Sequence, residues 1–174
     1  MAQNGNAPLV VVMGVSGSGK TTVGQSLAGS LGVLFAEADD FHPPENVAKM
    51  RAGIALSDED RRPWLDVIAG WLREHAPDGG VITCSALKRP YRDRLVSAAP
   101  RVFFVHLDGP AELIAERMAA RRGHFMPLEL LRSQLDALEP LTDEERGAIV
   151  PITGTVEETT HSALNAVRDR DRDR

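Results

Sequence analysis

Short, continuously apolar runs alternate with longer amphipathic stretches along this chain. Leu9-Val10-Val11-Val12-Met13 is apolar at every position. A run without alternation reads as a strand buried on both faces. Similar runs stand at Val33–Ala36, Val81–Cys84, Val102–Leu107 and Ala148–Ile152. Helical spacing fills the intervals. In Lys20–Leu31 the residues Val23, Leu27 and Leu31 recur every fourth position, and Gly32 supplies a stop. Further helices are expected over Pro44–Ala52, Asp58–His75, Pro90–Ala99, Pro110–Arg121, Pro127–Leu138 and Val156–Val167. Several open on proline, which the first helical turn tolerates. Strands separated by helices predict right-handed crossovers and a three-layer α/β fold, with helices on both faces of a five-stranded parallel sheet.

At 174 residues the chain fits one domain. Its ends, residues 1–7 and 168–174, are expected to be disordered. The second of these is alternating Arg and Asp, a solvated pattern. A formal net charge of −5 argues against a nucleic-acid surface, which needs a basic footprint. Cys84 is the single cysteine, so no internal disulfide forms and the cytoplasm is the expected compartment. No apolar run approaches the length of a membrane span.

Chemistry enters with Gly14-Val15-Ser16-Gly17-Ser18-Gly19-Lys20-Thr21, the pattern G-x-x-x-x-G-K-T placed between a strand and a helix. Gly14, Gly17 and Gly19 permit backbone conformations that a side chain would forbid. Together with Val15, Ser16 and Ser18 they turn amide N–H groups and the helix N-terminus toward one anion. Lys20 is expected on the β- and γ-phosphates of ATP, and the Thr21 hydroxyl on Mg2+. This assigns a bound triphosphate and leaves the fate of its γ-phosphoryl group open.

Other segments narrow it. The loop spelled Gly-Val-Ser-Gly-Ser-Gly-Lys-Thr is followed by Asp39-Asp40-Phe41-His42-Pro43 and by Asn46-Val47-Ala48-Lys49-Met50-Arg51-Ala52-Gly53. Next come Leu56-Ser57-Asp58-Glu59-Asp60-Arg61-Arg62-Pro63-Trp64-Leu65 and Cys84-Ser85-Ala86-Leu87-Lys88-Arg89-Pro90-Tyr91-Arg92-Asp93. Arg121 to Met126, then Gln134 and Leu138-Glu139-Pro140, complete the set. In this order, from Leu9 to Pro140, the chain resembles the small P-loop gluconate kinases. The resemblance implies a P-loop kinase fold with a substrate-binding helical segment near Pro44 to Trp71 and a lid near Arg121 to Pro127. It implies ATP-dependent phosphorylation of gluconate at its 6-hydroxyl, and a homodimer. Pro151 to Val156 departs from the family's pattern at the last strand and leaves the base contacts unassigned.

Roles follow from the resemblance joined to residue chemistry. An aspartate after the second strand faces the ligand crevice of such sheets. Counting back from His42-Pro43, the family's aspartate is Asp39, which would orient the attacking hydroxyl; a turn-forming role is its bland alternative. Arg61 is the first choice for the substrate carboxylate, with Lys49, Arg51, Lys88 and Arg92 as alternatives. His42 and His124 could hydrogen-bond hydroxyls, and Gln134 belongs to the matched downstream helix. Arg117 and Arg121 lie four apart on one helix face; Arg117 is expected on the nucleotide, and Arg121, beside the lid, on charge developing in the transition state. Trp64 and Trp71 are expected in the core, with Trp64 walling the substrate pocket. The five histidines show no metal-ligand spacing. A kinase of another small hydroxylated acid, such as shikimate, and a regulatory NTP-binding module stay open at this point. No Asn-Lys-x-Asp guanine motif supports the latter.

Overall fold

In the computed structural model, residues 6–120, 128–170 and 172 are described. The chain runs β1 (Leu9–Met13), α1 (Lys20–Leu31), β2 (Leu34–Glu37), a 3-10 turn (Ala38–Phe41), α2 (Pro44–Arg51), α3 (Asp58–His75), β3 (Gly80–Thr83), α4 (Arg89–Ala98), β4 (Phe103–Asp108), α5 (Ala111–Ala120), α6 (Leu128–Ala137), β5 (Gly147–Pro151) and α7 (Val156–Asp169). Each expected strand and helix is present, with ends shifted by a residue or two. The 3-10 turn is additional.

All strand pairs are parallel, in the order β2-β3-β1-β4-β5. β1 sits at the centre, with Val10 opposite Val81 on one side and Phe103 on the other. Its five residues are buried, which is why this strand reads as continuously apolar. From β1 the chain crosses to β2 at one edge, fills the gap with β3, then passes over β1 to β4. The strand order therefore reverses beside β1, and the crevice for a ligand opens at the carboxyl ends of β1 and β3.

Helix α1 packs against α7, and α3 against α4. Right-handed crossovers put these pairs on opposite faces of the sheet. α3 buries Trp64, Leu65, Ile68, Ala69 and Leu72, one stripe at helical spacing. Its start is fixed by a reciprocal cap. The Asp60 amide donates to Ser57 Oγ (3.1 Å) and the Ser57 amide donates to Asp60 Oδ2 (2.9 Å). α7 runs two residues past the expected Val167. Arg170, just beyond it, donates to the backbone oxygens of Val167 (2.7 Å) and Asn6 (2.8 Å), which ties the two ends of the described chain together.

Candidate active site

The phosphate loop leaves β1 with Gly14 at φ 145° and Gly17 at φ 82°. A Cβ on Gly14 would stand 2.7 Å from the Leu107 carbonyl oxygen, and one on Gly17 would stand 2.4 Å from Met118 Cγ. Both positions thus exclude side chains twice over, by conformation and by space. The Ser18 hydroxyl, buried, donates to Val15 O (2.7 Å) and closes the loop on itself. Lys20 Nζ lies over the loop, donating to Gly14 O (3.1 Å) and Val15 O (3.0 Å). The Thr21 hydroxyl donates to Glu37 Oε1 at the end of β2. Glu37 was missed in the sequence because a lone glutamate closing a short strand carries no spacing signal. With Thr21 it offers hard oxygen donors of the kind Mg2+ takes, an ion that keeps several waters and needs few protein ligands.

Beside the loop a cavity of about 330 Å3 is lined by Lys20, Asp39, His42, Arg61, Trp64 and Gln134, among others. This volume falls at the small end of ligand pockets, suited to a metabolite. The 3-10 turn is what delivers Asp39. Of the Asp39-Asp40 pair, Asp39 lines the cavity and Asp40 does not. Trp64 Nε1 donates to Ala38 O (2.6 Å), and the buried indole stacks on the His42 ring at 4.2 Å. Burial lowers the His42 pKa; Asp39 opposes that shift and Arg61 adds to it. The ring is therefore neutral at pH 7.

Arg61 is held in place by its neighbours. Nη1 donates to Leu56 O (2.8 Å) and to the Tyr91 hydroxyl oxygen (3.2 Å), and the guanidinium lies 5.5 Å from the centre of the Tyr91 ring. Both hydrogens of Nη1 are thus used. Nε and Nη2 have no partner among the described residues, and this edge forms the fork that a carboxylate accepts bidentately. Tyr91 is anchored in turn, its hydroxyl donating to Asp58 Oδ1. The same Asp58 oxygen pairs with Lys88 (3.3 Å).

Several expected substrate residues stand elsewhere. Lys88 is committed to Asp58, and its pKa is raised by that bond. Lys49 pairs with Asp60 at 2.9 Å; that bond, with the Ser57 amide, holds the Asp60 carboxyl at about 2. Neither lysine lines the cavity. Arg92 is fully buried. It donates to both carboxylate oxygens of Glu145 (2.6 and 3.1 Å) and to Ala86 O (2.8 Å). Ala86, at φ 46°, is the one described non-glycine residue in the left-handed region, so Arg92 serves to pin a strained backbone below the site. Arg51 does line the cavity. Gln134 Oε1 accepts from the Ser16 amide (2.7 Å), binding α6 to the phosphate loop. Cys84 is buried, which pushes its thiol up to about 12 and keeps it an apolar filler. Arg121 and His124, with the expected lid, lie outside the described residues.

On the other side of the loop a second hollow of about 440 Å3 is bounded by Gly17, Gly19, Arg117, Gly154 and Thr155. Arg117 Nη2 donates to Ile152 O (2.7 Å), joining α5 to the segment after β5. This hollow is walled by loop backbone, Thr22 and Val23 of α1, Arg117 and the N-terminus of α7, and it borders the segment after β5 whose base contacts the sequence left unassigned. The two hollows share the phosphate loop between them, an arrangement that fits a donor on one side and an acceptor on the other.

Known proteins share this architecture. The AAA domain family matches residues 9–141. The gluconokinase of Gluconobacter oxydans is 52% identical over 138 residues, covering 78% of each chain. The thermosensitive gluconokinase of Escherichia coli K12 is 45% identical over 160 residues, covering 90% of this chain and 86% of that one. The crystal structure of a gluconokinase from Sinorhizobium meliloti 1021 superposes with a TM-score of 0.90 at 44% identity, covering 97% of this chain and 95% of the other. With a phosphate loop, a neighbouring acceptor-sized cavity and colinear identity over most of its length, the chain belongs to the gluconokinase family of P-loop kinases.

Proposed function

We propose that this protein transfers the γ-phosphoryl group of ATP to the 6-hydroxyl of D-gluconate, giving 6-phospho-D-gluconate and ADP in the breakdown of sugar acids. One observation carries the reading. Lys20 of the phosphate loop, a carboxylate (Asp39) and a pre-set guanidinium edge (Arg61) line the same small cavity. Gluconate has an anionic end and a terminal hydroxyl, and the cavity provides a partner for each. Arg61 takes the carboxylate; Asp39 accepts a hydrogen bond from the attacking hydroxyl and aims it at the γ-phosphorus. Lys20 leaves its loop carbonyls to neutralise the phosphates, so positioning and charge supply most of the rate. Mg2+, held through Thr21 and Glu37, would neutralise charge on the triphosphate. Arg117 and the cleft beside Gly154 receive the nucleotide base. Among the described residues no helix is long and apolar enough to cross a membrane; we assign the enzyme to the cytoplasm, acting on a free metabolite, as a homodimer whose existence light scattering would decide.

The test is direct. Purified protein with Mg-ATP is offered gluconate, shikimate or no acceptor, and ADP release is followed. Gluconate alone should accelerate it. Equal rates with and without gluconate, or a preference for shikimate, would remove this assignment.

A further inference from the structure

We infer that Asn46 sets the tautomer of His42, so that the ring offers an Nε2–H donor to an oxygen of the phosphoryl acceptor. This rests on the cavity being the acceptor site.

Asn46 belongs to α2 and is buried, which no solvent-facing role requires. Its side-chain nitrogen lies 2.9 Å from the backbone oxygen of Asp60 and 3.2 Å from His42 Nδ1. A carbonyl oxygen can only accept. The atom facing Asp60 O is therefore the amide nitrogen and not the amide oxygen. That nitrogen has two hydrogens; one serves Asp60 O and the other points to Nδ1, which must then be the unprotonated ring atom. A neutral imidazole has one proton, and it is left on Nε2. The ring is neutral because it is buried, and its plane is fixed by stacking on Trp64 at an interplanar angle of 12°. Asp60 is itself immobilised by the α3 cap and by Lys49, so the carbonyl that orients Asn46 does not drift. His42 Nε2 has no partner among the described residues, and the ring lines the cavity.

Two consequences follow. His42 is a donor and not a base, so proton acceptance near the transferred hydroxyl stays with Asp39. The acceptor must also present a lone pair to His42, as each hydroxyl of a polyhydroxy acid does; an acceptor carrying CH2 at that place leaves the N–H unmet. Asn46 acts through His42 and is a positioning residue.

Two-bond 1H–15N spectra of the histidine rings in 15N-labelled full-length protein read the tautomer without any turnover. His42 should show a protonated Nε2 and a bare Nδ1 at pH 7.5, and Asn46→Leu should shift it toward a tautomer mixture. A protonated Nδ1 in the wild type, or a doubly protonated ring, overturns the inference even if the Asn46 variant fails to fold. Kinetics give a second arm. A glutamine amide nitrogen mimics Nε2 and an asparagine amide nitrogen mimics Nδ1, so His42→Gln should keep the gluconate KM within about threefold, while His42→Asn raises it about tenfold, the loss of one hydrogen bond. The ATP KM should stay put in both. The reverse order between Gln and Asn refutes the donor role. Should wild-type protein ignore gluconate altogether, the assigned acceptor falls while the spectra still decide the tautomer.

Discussion

Arg61 shows how much a guanidinium's usefulness depends on what already holds it. Two of its five N–H bonds are spent on Leu56 and Tyr91, which fixes the plane and leaves one forked edge. Arg61→Ala should raise the gluconate KM far more than the ATP KM, and equal effects on both would move Arg61 out of the acceptor site. Tyr91→Phe keeps the ring and removes the hydroxyl, so the same KM should rise about three- to tenfold with kcat nearly unchanged. An unchanged KM would show that Leu56 O alone orients the arginine. At the phosphate end, Lys20→Ala and Asp39→Asn should each cut kcat by roughly 10²–10⁴-fold, with folding checked by circular dichroism. Lys20 was legible from the spacing of the phosphate loop, whereas Asp39 and Arg61 were picked out by the resemblance of their segments to the family's motifs. Arg92 stood among the alternatives to Arg61 in the sequence, and its partner Glu145 lies 53 positions away, beyond the reach of any local pattern.

At the scale of elements, the hydrophobic pattern located the strands and helices to within a residue or two: β1, β3 and most of β4 are buried on both faces and α3 buries one stripe, while the edge strands β2 and β5 are only partly buried. The 3-10 turn of Ala38–Phe41 escaped it: four residues hold no period, yet this turn places Asp39 and offers Ala38 O to Trp64. The left-handed Ala86 escaped too, since alanine there runs against its own preference. What maintains it is the Arg92–Glu145 pair, which ties α4 to the segment before β5, both side chains nearly inaccessible at 1% and 6% exposure. Removing one member leaves the other charged and buried. Arg92→Met is expected to cost about 3–5 kcal/mol, read as a lowered urea midpoint. Replacing both by methionine should recover part of that loss. If Arg92→Met instead raised the gluconate KM with stability intact, the residue would belong in the acceptor site.

For the whole molecule, alternation of strands and helices implied the parallel sheet but carried no information on the order β2-β3-β1-β4-β5, which depends on where each crossover lands. That order sets β4 beside β1 and so buries His106 between Met13 and Ile149 in the register. His106 is 1% exposed, and neither ring nitrogen has a hydrogen-bond partner among the described residues. Burial lowers its pKa, Arg92 adds to the shift, and Asp108 and Glu145 oppose it. In the unfolded chain the ring titrates near 6.5, so below that pH the unfolded state binds the proton that the folded state refuses. The contribution of neutral His106 is therefore complete above about pH 6.5 and drains away as the pH falls toward the lowered folded value. Burial lowers the pKa of His42 as well, and its contribution falls in the same direction. Urea midpoints at pH 7.5 and 5.5 should differ clearly in the wild type and by less in His106→Leu, which keeps His42 and loses the unpaired ring. The acidic groups held below their usual range, Asp58, Asp60 and Glu145, titrate under this window and do not blur the comparison. An identical pH dependence in the two proteins would mean that His106 takes up its proton as readily inside the sheet as outside it.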